Sequence, residues 1–176
     1  TAFALAPTLP LGFTADDGAL VAFSARHGAA EILLDPATLR AGSSANLTPL
    51  MHLFYSLNLS LWGLDARGFR AAQVALAVAA ALSYHALLRR FARPAFALLG
   101  ALALVASLPF FYVASSLMTN HYVAGLAFAC AALLAYAREL ERRRWGASVA
   151  SAALYALAAL SKEVYLPAIA VFALMA

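Results

Sequence analysis

The sequence predicts an all-α, polytopic transmembrane helical bundle, and three observations carry that prediction. Hydrophobic residues make up 65% of the 176 positions and charged residues only 11%, against roughly half and a quarter in a soluble domain. The apolar residues fall into runs near the ~20-residue length that a helix needs to cross a bilayer. The basic residues gather in short clusters between those runs, as in the loops of inner-membrane proteins. The formal charge of +4 therefore points to a membrane and not to nucleic acid, since no basic face with interleaved aromatics accompanies it. Cys130, the single cysteine, sits inside an apolar run and reads as a small core residue.

Residues 1–13 are apolar but interrupted by Pro7 and Pro10, and are expected to be the end of a truncated first transmembrane helix. From residue 14 to 66 the character changes. Charges, glycines, the Asp35-Pro36 step and Gly42-Ser43-Ser44 predict an external loop with short helices over 17–27 and 36–40. Within it, Thr48, His52, Ser56 and Ser60 recur every four residues and form one polar stripe. The spacing predicts an amphipathic helix over 47–64 lying in the membrane interface, with Leu50, Leu53, Leu57, Leu61 and Trp62 buried and the stripe wetted. Pro49 suits its start and Gly63 its stop. A true span with the stripe turned toward a bundle is the alternative.

Residues 67–176 are expected to hold membrane helices at about 69–88, 95–115, 121–137, 145–160 and 164–176, the last truncated. One connection carries Arg89, Arg90 and Arg93, another Arg138, Arg142, Arg143 and Arg144. The positive-inside rule makes both cytoplasmic, which puts the turns at 116–120 and 161–163 outside. If 47–64 lies in the interface, the chain enters the membrane from outside near Phe69. Asp16 and Asp17 then share the outer face with Asn120, His121, Lys162 and Glu163. If 47–64 spans, the acidic pair is cytoplasmic and cannot meet those groups.

The chain opens at Thr1 without a methionine, lacks a basic n-region, and stops at Ala176 within an apolar run. The expectation is part of a longer polytopic protein, inactive by itself. Its Ala- and Arg-rich, Lys-poor usage points to a GC-rich bacterial source, hence an inner-membrane protein with a periplasmic active face.

Ionisable groups near a membrane are costly, so their clustering on one face suggests function. Asp16 or Asp17 can act as general base toward an acceptor hydroxyl. Lys162 can stabilise a phosphate leaving group, with Arg67 and Arg70 as further positive charge. Glu163, His121, Asn120 and His52 are candidate substrate contacts. Each group also has a purely structural reading. Thr14 followed by Asp17 resembles a capping box, Lys162 can snorkel from a helix end, His121 can simply start a helix, and His52 can belong to the wetted stripe. No His, Cys or acid pair has metal-ligand spacing. No cofactor is called for, although a divalent metal is compatible with phosphate chemistry.

Gly12-Phe13-Thr14-Ala15-Asp16-Asp17, Thr48-Pro49-Leu50, the run from Gly63 through Asp65 and Arg67 to Arg70, and Leu160-Ser161-Lys162-Glu163 with Pro167 follow one another in an order with a family likeness. Together they resemble the N-terminal half of GT-C-fold membrane glycosyltransferases, nearest the protein O-mannosyltransferases and their tetratricopeptide-repeat-linked relatives. The resemblance implies a polyprenyl-phosphate-linked sugar as donor, a hydroxyl acceptor on protein or glycan, membrane lipid as surroundings, and inversion on the external face. It implies a base at Asp16 or Asp17, Asp16 being favoured as the first acid, and Lys162 near the donor phosphate. It also implies interfacial helices over about 18–30 and 47–62. Two departures stand out: Thr48 where relatives often carry Arg, and Arg70 where the repeat-linked group often carries His. The rival readings are a lipid-phosphate-binding transporter or flippase-like component, which should show broken spans or inverted repeats, and a non-catalytic membrane assembly subunit.

Overall fold

The computed structural model describes residues 5–42, 46, 48–142 and 145–175. Helices account for its regular structure, with no strand among the described residues. A 3-10 turn (Ala6–Thr8) leads to four helices before the long apolar region: α1 (Ala15–Arg26), α2 (Ala29–Leu34), α3 (Pro36–Gly42) and α4 (Pro49–Trp62). Then come α5 (Ala66–Phe91), α6 (Pro94–Ala106), α7 (Leu108–Ser115), a 3-10 turn (Leu117–Thr119), α8 (Asn120–Arg142), α9 (Trp145–Ser161), a 3-10 segment (Glu163–Ala168) and α10 (Ile169–Met175). The sequence anticipates α1, α3 and α4, but not α2. Arg143, Arg144, Ser43 and Ser44, to which the sequence assigns loops, lie outside the described residues, as does the start of the 1–13 segment.

Local chemistry fixes the element ends. Pro49 opens α4, and Gly63 ends it in a left-handed conformation, φ 58°, that only glycine adopts without strain. Two residues on, the Asp65 carboxylate accepts the Arg67 backbone N–H at 2.9 Å and starts α5.

Among the described residues, two segments are long and apolar enough to cross a membrane, Ala66–Phe91 and Leu117–Glu141, and α6 with α7 makes a third only as a pair bent by 59°. The sequence predicts one unbroken span over 95–115, so this bend is a correction. Its cause is Ser107, whose hydroxyl donates to the Leu104 carbonyl at 2.7 Å and accepts the Phe110 N–H at 3.4 Å. Pro109 removes an amide that a continuous helix would use, so a new helix begins instead. The 17 residues of α9 reach only about 25 Å at 1.5 Å per residue, short of a ~30 Å hydrocarbon core.

Lipid exerts no hydrophobic drive between helices, so small side chains that permit close approach carry the packing. Ala77 and Ala80 of α5 meet Phe110 and Ala114 of α7, Val123 and Ala127 of α8, and Leu5. The outward residues Leu82, Phe96, Leu99 and Leu102 are exposed, as lipid-facing positions should be. Where α8 approaches the 3-10 segment, the Tyr165 hydroxyl donates to the Tyr122 carbonyl at 2.5 Å, and a methyl on Gly125 would run into the Tyr165 ring. Gly125→Ala is therefore expected to destabilise the bundle by about 1–3 kcal/mol. A lowered thermal midpoint in detergent checks this; an unchanged midpoint would show that the ring can move aside freely.

Arg90 pairs with Glu141 at 2.8 Å, which joins the C-terminal ends of α5 and α8. The ends of α5 and α8 that carry Arg90 and Glu141 therefore lie at one end of the bundle, and the helix starts near Arg70 and His121 at the other.

Candidate active site

Thr14, in extended backbone, is the N-cap of α1, and Asp16 and Asp17 occupy its first turn. Adjacent helical residues point about 100° apart, and the two acids have opposite environments. Asp17 is fully buried. One carboxylate oxygen accepts the Thr14 N–H and the Thr14 hydroxyl, both at 2.8 Å. The other accepts the Tyr55 hydroxyl of α4 at 2.7 Å. Burial, reinforced by the bond to Asp17, pushes the Tyr55 phenol above its usual range and keeps it a donor. The capping reading thus describes Asp17. Asp16 is exposed and lines a cavity of about 310 Å³ together with Asn46, Thr48, Met51, Met118 and His121.

His121 stands at the start of α8, only 8% exposed, with its ring against Tyr122 at 4.4 Å between centroids. Its Nδ1 meets no hydrogen-bond partner among the described residues, nor does the Nδ2 of buried Asn120, which stays off the cavity lining. Lys162 does not snorkel to water: it is 6% exposed. Its Nζ donates to Asn46 Oδ1 at 2.5 Å, pairs with Glu163 at 2.8 Å, and lies 5.7 Å from the Tyr122 ring centroid. An ammonium has three donors, so these two bonds leave one more. Asn46 thereby links Lys162 to the cavity wall that carries Asp16 and His121.

Other candidates fall elsewhere. The sequence assigns Arg70 to a donor phosphate, yet its guanidinium is buried and donates to the Ser115 carbonyl at 2.6 Å and the Gly12 carbonyl at 3.0 Å. Gln73, which sequence reasoning missed, donates to the Val113 and Ser116 carbonyls at 3.2 and 3.3 Å. Both side chains donate to carbonyls at or just beyond the end of α7, where a helix terminus leaves acceptors short of partners. Their one-turn spacing on α5, i and i+3, was the available signal. Arg67 is exposed in the first turn of α5, also off the cavity lining. Among the described residues no three His, Cys, Asp or Glu side chains gather as a metal-binding group.

His52 is not wetted. It is 1% exposed, and its ring packs on Phe23 of α1 at 4.4 Å between centroids. Ser24 Oγ donates to the His52 carbonyl at 3.1 Å. The polar stripe of α4 therefore begins against α1, with Thr48 also buried, while Leu57 and Leu61 are exposed on the far side. Desolvation, and secondarily the charge of His27, lowers the His52 pKa from 6.5. The folded state thus holds the neutral ring, and the unfolded chain takes up the proton first as pH falls. The stabilisation is complete above about pH 6.5 and declines as pH drops from there through the folded-state value. His52→Phe should flatten that part of the thermal-midpoint profile between about pH 7.5 and 5, and an unchanged slope would assign the dependence to other groups.

Residues 46–176 match the family described as dolichyl-phosphate-mannose-protein mannosyltransferase, a stretch that includes Lys162, His121 and Arg70 and begins after the acidic pair. No curated protein and no solved structure gave a match. The family match covers most of the chain, and among the described residues two helices, or three with the bent pair, are long and apolar enough to cross a bilayer. The chain belongs to the dolichyl-phosphate-mannose-protein mannosyltransferase family and is an integral membrane glycosyltransferase of mannosyltransferase type.

Proposed function

We propose that the protein transfers a single sugar from a polyprenyl-phosphate donor to an acceptor hydroxyl on the external face of the membrane, with inversion and with Asp16 as general base. The observation that carries this reading is the shared cavity of Asp16, His121 and Asn46, Asn46 being held by Lys162. In the reaction, the acceptor oxygen attacks the anomeric carbon while its proton passes to the Asp16 carboxylate. The bond from the anomeric carbon to the phosphate oxygen breaks, and polyprenyl phosphate leaves with the electron pair. Lys162 offers its remaining N–H to the phosphate charge that grows as this bond breaks. His121, buried with Nδ1 open, donates to or accepts from a substrate hydroxyl. Asp17, with three hydrogen bonds already, is left out of proton transfer.

The external assignment is supported by the pairing of Arg90 with Glu141, which holds the C-terminal ends of α5 and α8 together at the other end of the bundle, where the sequence is rich in arginine and the positive-inside rule expects the cytoplasm. The family description names dolichyl-phosphate-mannose and protein, so a mannosyl donor and a protein hydroxyl are the first pair to try. The test is transfer from a radiolabelled polyprenyl-phosphate mannose to a peptide carrying Ser or Thr, by the native protein in membranes. Labelled product with the opposite anomeric configuration to the donor is expected. Retained configuration would overturn the single-displacement mechanism.

A further inference from the structure

We infer that Tyr55 is a positioning residue for the transfer reaction, acting through Asp17 to hold Asp16 at the cavity wall; this rests on the reading of Asp16 as the base. The stretch from Gly12 to Asp17 is gripped at both ends and in the middle. At one end Arg70 donates to the Gly12 carbonyl at 3.0 Å. In the middle Phe13 packs edge-on against Phe69 at 5.1 Å. At the other end the Tyr55 hydroxyl reaches Asp17 at 2.7 Å, and the Tyr55 ring lies 5.7 Å from the same Phe69. Tyr55, Phe69 and Asp17 are all fully buried. Of the two acids in this gripped stretch, the exposed one is Asp16.

A buried carboxylate that loses a donor turns toward whatever else can pair with it. Without the Tyr55 hydroxyl, Asp17 would pull on the first turn of α1, and Asp16 moves with that turn. Displacement of a reacting group by about 1 Å can cost on the order of 10²-fold in rate. Tyr55 sits on α4, whose opposite side presents Leu57 and Leu61 outward, so the same helix that meets the surroundings also sets the base.

Four forms of the native protein test this in the mannosyl-transfer assay: Asp16→Asn, Tyr55→Phe, Asp17→Asn, and Tyr55→Phe combined with Asp17→Asn. Phenylalanine keeps the buried ring and deletes only the hydroxyl. Tyr55→Phe is expected to lower kcat about tenfold with the donor KM within about twofold. In the Asp17→Asn background the same change should cost less than about twofold, because its route to Asp16 is already cut. A Tyr55→Phe enzyme with wild-type kcat would overturn the proposal. So would an equal loss in both backgrounds, or a raised donor KM at unchanged kcat, which would mark Tyr55 as a substrate contact. If Tyr55→Phe does not fold, Asp17→Asn alone decides: lowered kcat at unchanged KM supports the clamp, and wild-type kcat overturns it. Full activity in Asp16→Asn would instead remove the base assignment itself, whereas an inactive Asp16→Asn beside a normal Tyr55→Phe removes only the clamp.

Discussion

Asp16→Asn is expected to abolish transfer, lowering kcat by about 10²–10⁴-fold, the range that a positioned general base contributes. That loss equals about 2.7–5.4 kcal/mol of transition-state stabilisation at 1.36 kcal/mol per tenfold. Asparagine keeps the size and polarity of the side chain but cannot take the acceptor proton. Asp16 is exposed and outside the hydrogen-bonded knot around Asp17, so folding should be unaffected and the thermal midpoint should hold. The donor KM should hold as well, because the base acts on the acceptor. The converse is expected at Asp17. Its replacement by Asn breaks the pairing with Thr14 and Tyr55, so the thermal midpoint should fall along with activity. Kinetic constants and melting curves for both variants separate the two acids. A fully active Asp16→Asn enzyme would remove the proposed mechanism.

The second large effect is expected at Lys162. Lys162→Met keeps most of the aliphatic stem and deletes the charge that the proposed mechanism sets against the departing phosphate. A charged hydrogen bond that strengthens in the transition state is worth about 2.7–4 kcal/mol in comparable oxyanion sites, or 10²–10³-fold in rate. Loss of the ammonium also removes the donor to Asn46 Oδ1 and leaves Glu163 without its ion pair. Glu163 is part-exposed, so water can replace that partner, and the stability loss should be well below the catalytic one. Lys162→Arg should recover only part of the activity, since a planar guanidinium does not fit a site built around a compact ammonium. Steady-state kinetics against donor concentration checks this. Wild-type kcat/KM in Lys162→Met would mean that the phosphate charge is met elsewhere.

Much of the fold was legible in the residues, because hydropathy and charge are local signals. The apolar runs led to α5, α8 and α9, and Pro49 and Gly63 marked both ends of α4. What was not legible depended on contacts between distant residues. A stripe of Thr48, His52, Ser56 and Ser60 looks the same whether it meets water or another helix, and only the packing of Phe23 on His52 decides between them. The break at Ser107 needs a serine to serve two helix ends at once, which apolar averaging over 95–115 conceals. Arg70 at the start of an apolar helix resembles a phosphate ligand until the Gly12 and Ser115 carbonyls are brought to it from 58 and 45 residues away. The two acids could not be told apart by spacing. Tyr55, 38 residues along the chain, makes the difference.

The most direct test of one external site is the side of the membrane on which it lies. Single cysteines introduced as Asp16→Cys and Val164→Cys, both at exposed positions, in a Cys130→Ala background, can be probed with a membrane-impermeant thiol reagent on intact cells. An Arg93→Cys variant, also at an exposed position, reports the other end of the bundle. Labelling of positions 16 and 164 from outside, with position 93 reached only after permeabilisation, is the predicted result. Labelling of 16 and 164 from opposite sides, or of both only after permeabilisation, would contradict it.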